Sequence, residues 1–360
     1  MSLQNNENTQ RNVNMQDGSK SEKAPCKLFD RRWKKILVSV LAVLVGVALI
    51  AAGCFSVLWF KGKQSLKTEA PNMTASNLDA ELDDDVVIYK GDRYKFNPDI
   101  TSLLFIGTDG KSKEINGKKS GYGQADALFL AAINTKSGEV SLISIPRDSM
   151  ARVRVYSDEG NFIDTEQMQI CLSYAYGQGG KLSCENTVEA VSNLMYGINI
   201  NTYFCLDWKA VSEINDMVGG VTVDEYDAKF NKTGKKVTLK GQAALDYILL
   251  RDHANVNSSI NRLDRQISYI KSFSSQIIEK TKQDISTPLN IYNKINSRSI
   301  NTLDASKITY LSTVFLNGGA KLNFESITGE MVQGEKYAEF YPDEQALYEL
   351  VLKVYYQKVK

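Results

Sequence analysis

Asp109, Asp126 and Arg147 each stand beside an apolar run: LLFIGTD ends in Asp109, Asp126 precedes ALFLAAI, and Arg147 follows SLISIP. Two carboxylates offer the oxygen ligands that a hard cation such as magnesium takes, and a guanidinium fork fits phosphate. Together they suit an anionic substrate held with a metal ion. The same residues also suit a plain ion pair at strand ends. Arg262 and Arg265, three residues apart near the start of a long helical pattern, project together from the positive end of a helix dipole. Cations crowded there conflict with the dipole, and an anion bound between them removes the conflict. Tyr247 and Arg251, four apart, share a face of the preceding helix.

Strands must deliver the first three. Ala127 to Ile133 and Val140 to Ile145 are runs rich in apolar residues, joined by the polar segment from Asn134 to Glu139, which predicts a hairpin. With the turn centred on Lys136 and Ser137, Ile133 pairs with Val140, and the same register sets Asp126 across from Arg147. A glycine bulge at Gly138 would slip this by one residue. If the Leu103 to Ile106 strand runs parallel to the Val140 strand, Asp109 reaches the same edge, where α/β sheets carry their ligands.

The chain has 360 residues with 43 Lys and Arg against 42 Asp and Glu, which gives no general reason to expect a nucleic-acid partner. Its one histidine, His253, argues against ordinary triad or multi-histidine zinc chemistry. Ile36 to Phe60 is uncharged and long enough to cross a bilayer as one helix. Lys20, Lys23, Lys27, Arg31, Arg32, Lys34 and Lys35 precede it, whereas Lys61, Lys63 and Lys67 follow. The positive-inside rule then sets the N-terminus in the cytoplasm and the rest outside, with Trp33 and Trp59 as interfacial anchors. A cleaved signal peptide fits less well, because the core is long and far from the N-terminus.

Residues 1–35 read as a disordered cytoplasmic tail, 36–60 as the membrane helix, 61–97 as a polar linker with an acidic run at Asp83, Asp84 and Asp85, and 98–360 as one domain. After the hairpin a polar loop is expected to about Thr165. Beyond it, apolar residues at helical spacing alternate with short strands: a helix capped by Ser183 or Asn186 and stopped at Gly197, a strand at Tyr203 to Asp207, a helix to Val218 and a strand from Val221. Helices over Gln242 to Arg251, around Ile267 to Ile278 and from Glu344 follow. The alternation predicts an α/β domain, a mixed central sheet flanked by helices. Gly179-Gly180-Lys181 is not a nucleotide loop, since Ala175 and Leu182 stand where Gly and Ser or Thr are required. Cys171, Cys184 and Cys205 fall outside the membrane, as a disulfide of unassigned pairing or as buried thiols.

The order of these pieces resembles the LytR-CpsA-Psr family of cell-wall glycopolymer ligases. It rests on LLFIGTD, Asp126 before ALFLAAIN, SIPRDS, CLSYAYGQGG, TVEAVSNLMYGI, the DW and VGGVTV pair, LKGQAALDY, and RLDRQ, over about Ile100 to Lys282. The resemblance implies transfer of a phosphosugar polymer from a polyprenyl-pyrophosphate carrier, lying in an apolar tunnel between sheet and helices, to a peptidoglycan hydroxyl. It further implies Asp109 and Asp126 on magnesium, Arg147, Arg251, Arg262 and Arg265 on phosphate oxygens, Gln266 assisting, and Arg147, Asp126 and Asp109 as the catalytic set. Two departures stand out: Gln124 and Leu249 replace arginines usual in the family. A thinner clamp leaves a non-enzymatic polyprenyl-phosphate binder or a lipid pyrophosphatase as alternatives.

Overall fold

The computed structural model describes residues 27–71, 73, 80–83, 86–109, 113–115, 118–120, 123–157, 159–177, 179–226, 231–252, 255–284, 286–318 and 321–359. Cys26 and most of the expected tail, Asp84, Asp85 and His253 lie outside them. The chain divides after Phe55 into two units. The first carries most of helix α1 (Lys27–Ser65), longer at both ends than the uncharged run. Its Gly46–Ser65 stretch is long and apolar enough to cross a membrane. Val43, Val47, Leu49 and Ile50 are exposed on it, an apolar surface that water does not favour.

In the second unit, β1 (Ala80–Asp83), β2 (Val86–Tyr89) and β3 (Asp92–Phe96) form an antiparallel sheet. These strands lie within residues 61–97, expected as a polar linker; Val87 and Tyr89 are buried at period two, with Phe96 also buried, as strands of a packed sheet require. Next come β4 (Ile100–Thr108), the small pair β5 (Lys113–Ile115) and β6 (Lys118–Ser120), and the hairpin of β7 (Ala125–Asn134) and β8 (Val140–Ile145). In place of the expected polar loop, β9 (Met150–Tyr156) and β10 (Phe162–Gln169) form a second hairpin. The short helix α2 (Leu172–Ala175) leads to α3 (Gly180–Leu194). Helix α3 begins three residues before Ser183, whose hydroxyl accepts from the Gly179 N–H at 2.7 Å, and Gly197, at φ +81°, ends the segment.

The chain continues through β11 (Thr202–Asp207), α4 (Lys209–Met217), the hairpin β12 (Val221–Tyr226) and β13 (Lys232–Leu239), α5 (Gln242–Leu249), α6 (Ser258–Gln283), α7 (Thr287–Asn296), β14 (Ser299–Asn301) and α8 (Ala305–Gly318). It closes with β15 (Leu322–Ser326), β16 (Gly329–Gln333), β17 (Ala338–Pro342), α9 (Glu344–Tyr355) and β18 (Tyr356–Val359), which pairs with β3.

The central sheet has the order β14-β11-β4-β7-β8-β15. Strands β4, β8, β11 and β15 run one way, with β7 antiparallel between β4 and β8. Helices cover both faces, which is why β7 is apolar at nearly every position rather than alternating. Leu104, Leu128, Leu130 and Ile143 pack towards α3 and α9 in one core. Leu103, Ala127, Phe129, Ala131 and Leu142 face the other way, towards α6, α7 and α8, in a second core. The fold is thus the expected mixed sheet between helices.

Candidate functional site

The hairpin register is the expected one: Ile133 pairs with Val140 and Leu128 with Ile145, and the φ of +72° at Gly138 absorbs the turn without slipping it. Pro146 then ends β8. The turn behind it is fixed by the Ser149 N–H on the Pro146 carbonyl at 3.0 Å, and by the Cys171 N–H on the Arg147 carbonyl at 3.0 Å. Arg147 is thereby aimed at the start of β7. Its Nη1 donates to the Asp126 carboxylate, its Nη2 to Gln124 Oε1 and, at 3.0 Å, to Cys171 Sγ, and its Nε lies 3.3 Å from Asp148 Oδ1.

Arg262 reaches the same carboxylate from α6, with Nη2 at 3.5 Å from Asp126 Oδ1. The three side chains are largely buried, at 13 % exposure for Arg147, 14 % for Asp126 and 7 % for Arg262. Burial works against the charge of Arg147, and the Cys171 sulfur with the carboxylates of Asp126 and Asp148 outweighs it, so the Arg147 pKa is raised. Burial lowers the Arg262 pKa; Asp126 opposes this, while Arg147 and Arg251 add like charge. Arg147 and Arg262 thus converge on Asp126, with Asp148 beside Arg147 and Arg251 near enough to add like charge to Arg262, a grouping of guanidinium forks that suits an anion with several oxygens. Burial raises the pKa of the Cys171 thiol, against the opposing pull of Arg147.

Not every expected residue joins this cluster. Arg251 donates to Ser258 Oγ at 3.0 Å, tying the segment after α5 to the first turn of α6. Arg265 was expected to project with Arg262. Instead its Nη2 donates to the Leu250 carbonyl and its guanidinium lies 5.5 Å over the Tyr226 ring. Gln266 Nε2 donates to the Ile248 carbonyl at 3.3 Å. Both therefore satisfy carbonyls left unpaired at the C-terminal end of α5, where positive groups are favoured. Asp109 follows β4, whose Thr108 pairs with Ala125, so it lies at the neighbouring strand end. Its carboxylate, after burial, Cys205, and Cys184, is among the groups that raise the Tyr174 phenol.

Among the described residues no three metal-ligating side chains converge. Asp109 and Asp126 offer two carboxylates at adjacent strand ends, enough for magnesium only if phosphate oxygens and waters complete its shell. Cys171, Cys184 and Cys205 are buried free thiols, and Cys184 is hydrogen-bonded to Cys205. The residues that sequence reading missed are Cys171 and Asp148 as partners of Arg147. The SIPRDS and CLSYAYGQGG segments contained them, without a spacing that would bring them together.

Beside the cluster a cavity of about 470 Å³ runs between the second face of the sheet and helices α4, α6, α7 and α8. Phe129, Ala131 and Leu142 line it from the sheet, Ile270 and Phe273 from α6, and Leu311 from α8. Ala127 and Gln266 line it as well, next in chain to Asp126 and one helix turn from Arg262, as does Gly107, which pairs with Ala127. Trp208 approaches Gly107 so closely that a Cβ there would lie 2.8 Å from its ring, which explains a glycine in an otherwise apolar strand.

The family model LytR_cpsA_psr matches residues 63–353. This chain belongs to the LytR_cpsA_psr family. Relatives include the polyisoprenyl-teichoic acid–peptidoglycan teichoic acid transferase TagU of Bacillus licheniformis, 27 % identical over 249 residues that span 67 % of this chain and 70 % of the relative. Two solved structures with this family member's fold are Bacillus subtilis TagV (24 % identity, 71 % and 96 % of the two chains, TM-score 0.52) and TagT bound to LI-WTA (18 %, 72 % and 92 %, 0.53). Homology thus supports a glycopolymer transferase role for this LytR_cpsA_psr protein.

Proposed function

We propose that this chain moves a phosphate-linked glycopolymer from a polyprenyl-pyrophosphate carrier to a peptidoglycan hydroxyl, from the outer side of the membrane that α1 spans. One observation carries the reading: the buried guanidinium groups of Arg147 and Arg262 lie beside one end of an apolar cavity, the arrangement required by a ligand with an anionic head and a long apolar tail. The name of the TagU relative, which pairs a polyisoprenyl-linked teichoic acid with peptidoglycan, supports the same chemistry. The excess of Lys and Arg before α1's apolar stretch supports the orientation.

In the reaction the acceptor oxygen attacks the phosphorus bonded to the sugar. The bond from that phosphorus to the bridging oxygen breaks, and polyprenyl phosphate leaves with the electron pair. Arg147, Arg262 and Arg251 bind the phosphate oxygens and offset the charge that grows on the bridging and leaving oxygens. The hydroxyl proton passes to a strand-end carboxylate, Asp126 or Asp109. Arg265 and Gln266 act from behind by fixing the end of α5. Magnesium, held by Asp109 and Asp126, would supply further positive charge on the pyrophosphate.

The test combines purified chain, magnesium, lipid-linked oligosaccharide and peptidoglycan fragments. A new phosphodiester with release of polyprenyl phosphate is expected. Cleavage that ignores the acceptor would make the protein a lipid pyrophosphatase, and retained lipid with no cleavage would make it a carrier-binding protein.

A further inference from the structure

A second cavity, of about 510 Å³, lies where the last turns of α1 meet α8 and the β7–β8 turn. Its charged lining residues are Lys63, Lys67, Lys136 and Asp99. Three ammonium groups against one carboxylate leave two positive charges in excess. Lys136 takes the carboxylate, with Nζ 2.6 Å from Asp99 Oδ2, whereas among the described residues neither Lys63 nor Lys67 is ion-paired. Both are exposed, and the Lys63 ammonium lies 5.2 Å over the Trp59 ring, at the mouth of the cavity.

Much of the rest of the lining is apolar. Trp59 stacks edge-on against Tyr310 with ring centroids 5.5 Å apart, and its indole N–H is fixed on Thr313 Oγ1 at 3.0 Å. Leu66 and Val314, both buried, continue that apolar lining. Helix α1 comes this close to α8 because residue 62 is glycine: a Cβ there would lie 2.1 Å from the Ser306 carbonyl oxygen. Cations set directly beside rings and aliphatic groups, with Lys63 over the Trp59 ring, call for an amphiphile, not for a fully hydrated anion. Trp59 and Lys63 also belong to the final turns of the Gly46–Ser65 apolar stretch, the depth at which tryptophan and snorkelling lysine meet lipid headgroups.

We infer that this cavity binds the phosphodiester headgroup of an anionic glycerophospholipid from the bilayer. Lys63 and Lys67 hold the phosphate, and the first acyl carbons lie against Trp59, Leu66 and Tyr310. The inference rests on α1 being a membrane span and not on the transferase reading. The site shares no lining residue with the apolar cavity beside Arg262, so the two can be tested separately.

The full chain, purified in mild detergent and stripped of lipid, is titrated with phosphatidylglycerol, phosphatidylcholine or inorganic phosphate and read by native mass spectrometry. One phosphatidylglycerol per chain is expected, in clear preference to phosphatidylcholine. The Lys63→Gln/Lys67→Gln protein should bind it roughly 30-fold more weakly at low salt. Melting temperature and polyprenyl-phosphate retention in that variant should stay unchanged, since both lysines are exposed and far from Arg262 in sequence. Equal binding of the two phospholipids, or an undiminished preference in the double variant, overturns the proposal. Saturable binding of inorganic phosphate without a phosphatidylglycerol preference would show a free-anion site and overturns it too.

Discussion

Replacing Asp126 by asparagine removes the carboxylate that Arg147 and Arg262 share, while keeping its size and one acceptor oxygen. At 3.5 Å the gross attraction to Arg262 alone is roughly 5 kcal/mol for an effective dielectric of 20, most of it offset by desolvation of buried groups. Arg147 would keep Asp148, Gln124 and Cys171, whereas among the described residues Arg262 would keep no ion pair. The expected net loss is therefore at the low end for a broken buried pair, about 3 kcal/mol, or roughly 5 °C in Tm for a unit running from Ser56 to Lys360. Differential scanning fluorimetry of Asp126→Asn beside the parent protein measures it. Millimolar inorganic pyrophosphate supplies the second arm: an anion seated among the guanidinium groups replaces the missing charge, so it should raise the Tm of the variant more than that of the parent. If the variant melts with the parent, Asp126 does not hold the two guanidinium groups; if pyrophosphate shifts both proteins equally, the cluster is a structural ion pair and not an anion site.

Ala131→Phe places a ring in the large apolar cavity from the middle of β7. Stability should change by less than about 1.5 kcal/mol because empty space receives the ring, while lipid that copurifies with the chain should fall at least tenfold (roughly, by occlusion); unaltered lipid content by mass spectrometry would place the tail elsewhere. Gln124→Arg exchanges an acceptor for Arg147 for a like charge. It should lower the Tm of the free protein and tighten pyrophosphate binding in calorimetry, and it fails as a prediction if affinity is unmoved. Asp304 caps α8, accepting from Ser306 Oγ and, at 2.8 Å, from the Lys307 N–H. Partial burial raises its pKa, and these bonds outweigh it, leaving the pKa below the ordinary value. A depressed carboxyl pKa means stability present above the unfolded value, about 3.9, and lost as pH falls through the folded one. Asp304→Ala should then cost about 1 kcal/mol at neutral pH and flatten the acid limb of the Tm profile below about pH 4; identical acid limbs would exclude a cap.

Much of this protein was legible in its residues. The runs from Ala127 and Val140 determined a hairpin and its register, because a one-residue slip would have turned each apolar side chain to the other face. That register alone brought Asp126 to Arg147. The stripe of Ile267, Ile270 and Phe273 determined α6, and the order of motifs indicated the family. Tertiary structure decided what spacing leaves open. Arg262 and Arg265 are three apart on one helix, yet one meets Asp126 and the other the end of α5, since which neighbour each meets depends on packing across elements. The stretch from β1 to β3 read as a polar linker because its alternating, half-polar strands bury little by themselves; they pair with one another, and what covers them, β18 on the edge of β3 and α9 against Val87 and Tyr89, comes from the far end of the chain. Both cavities likewise exist only where side chains distant in sequence fail to fill the space between layers, and no local pattern records a void.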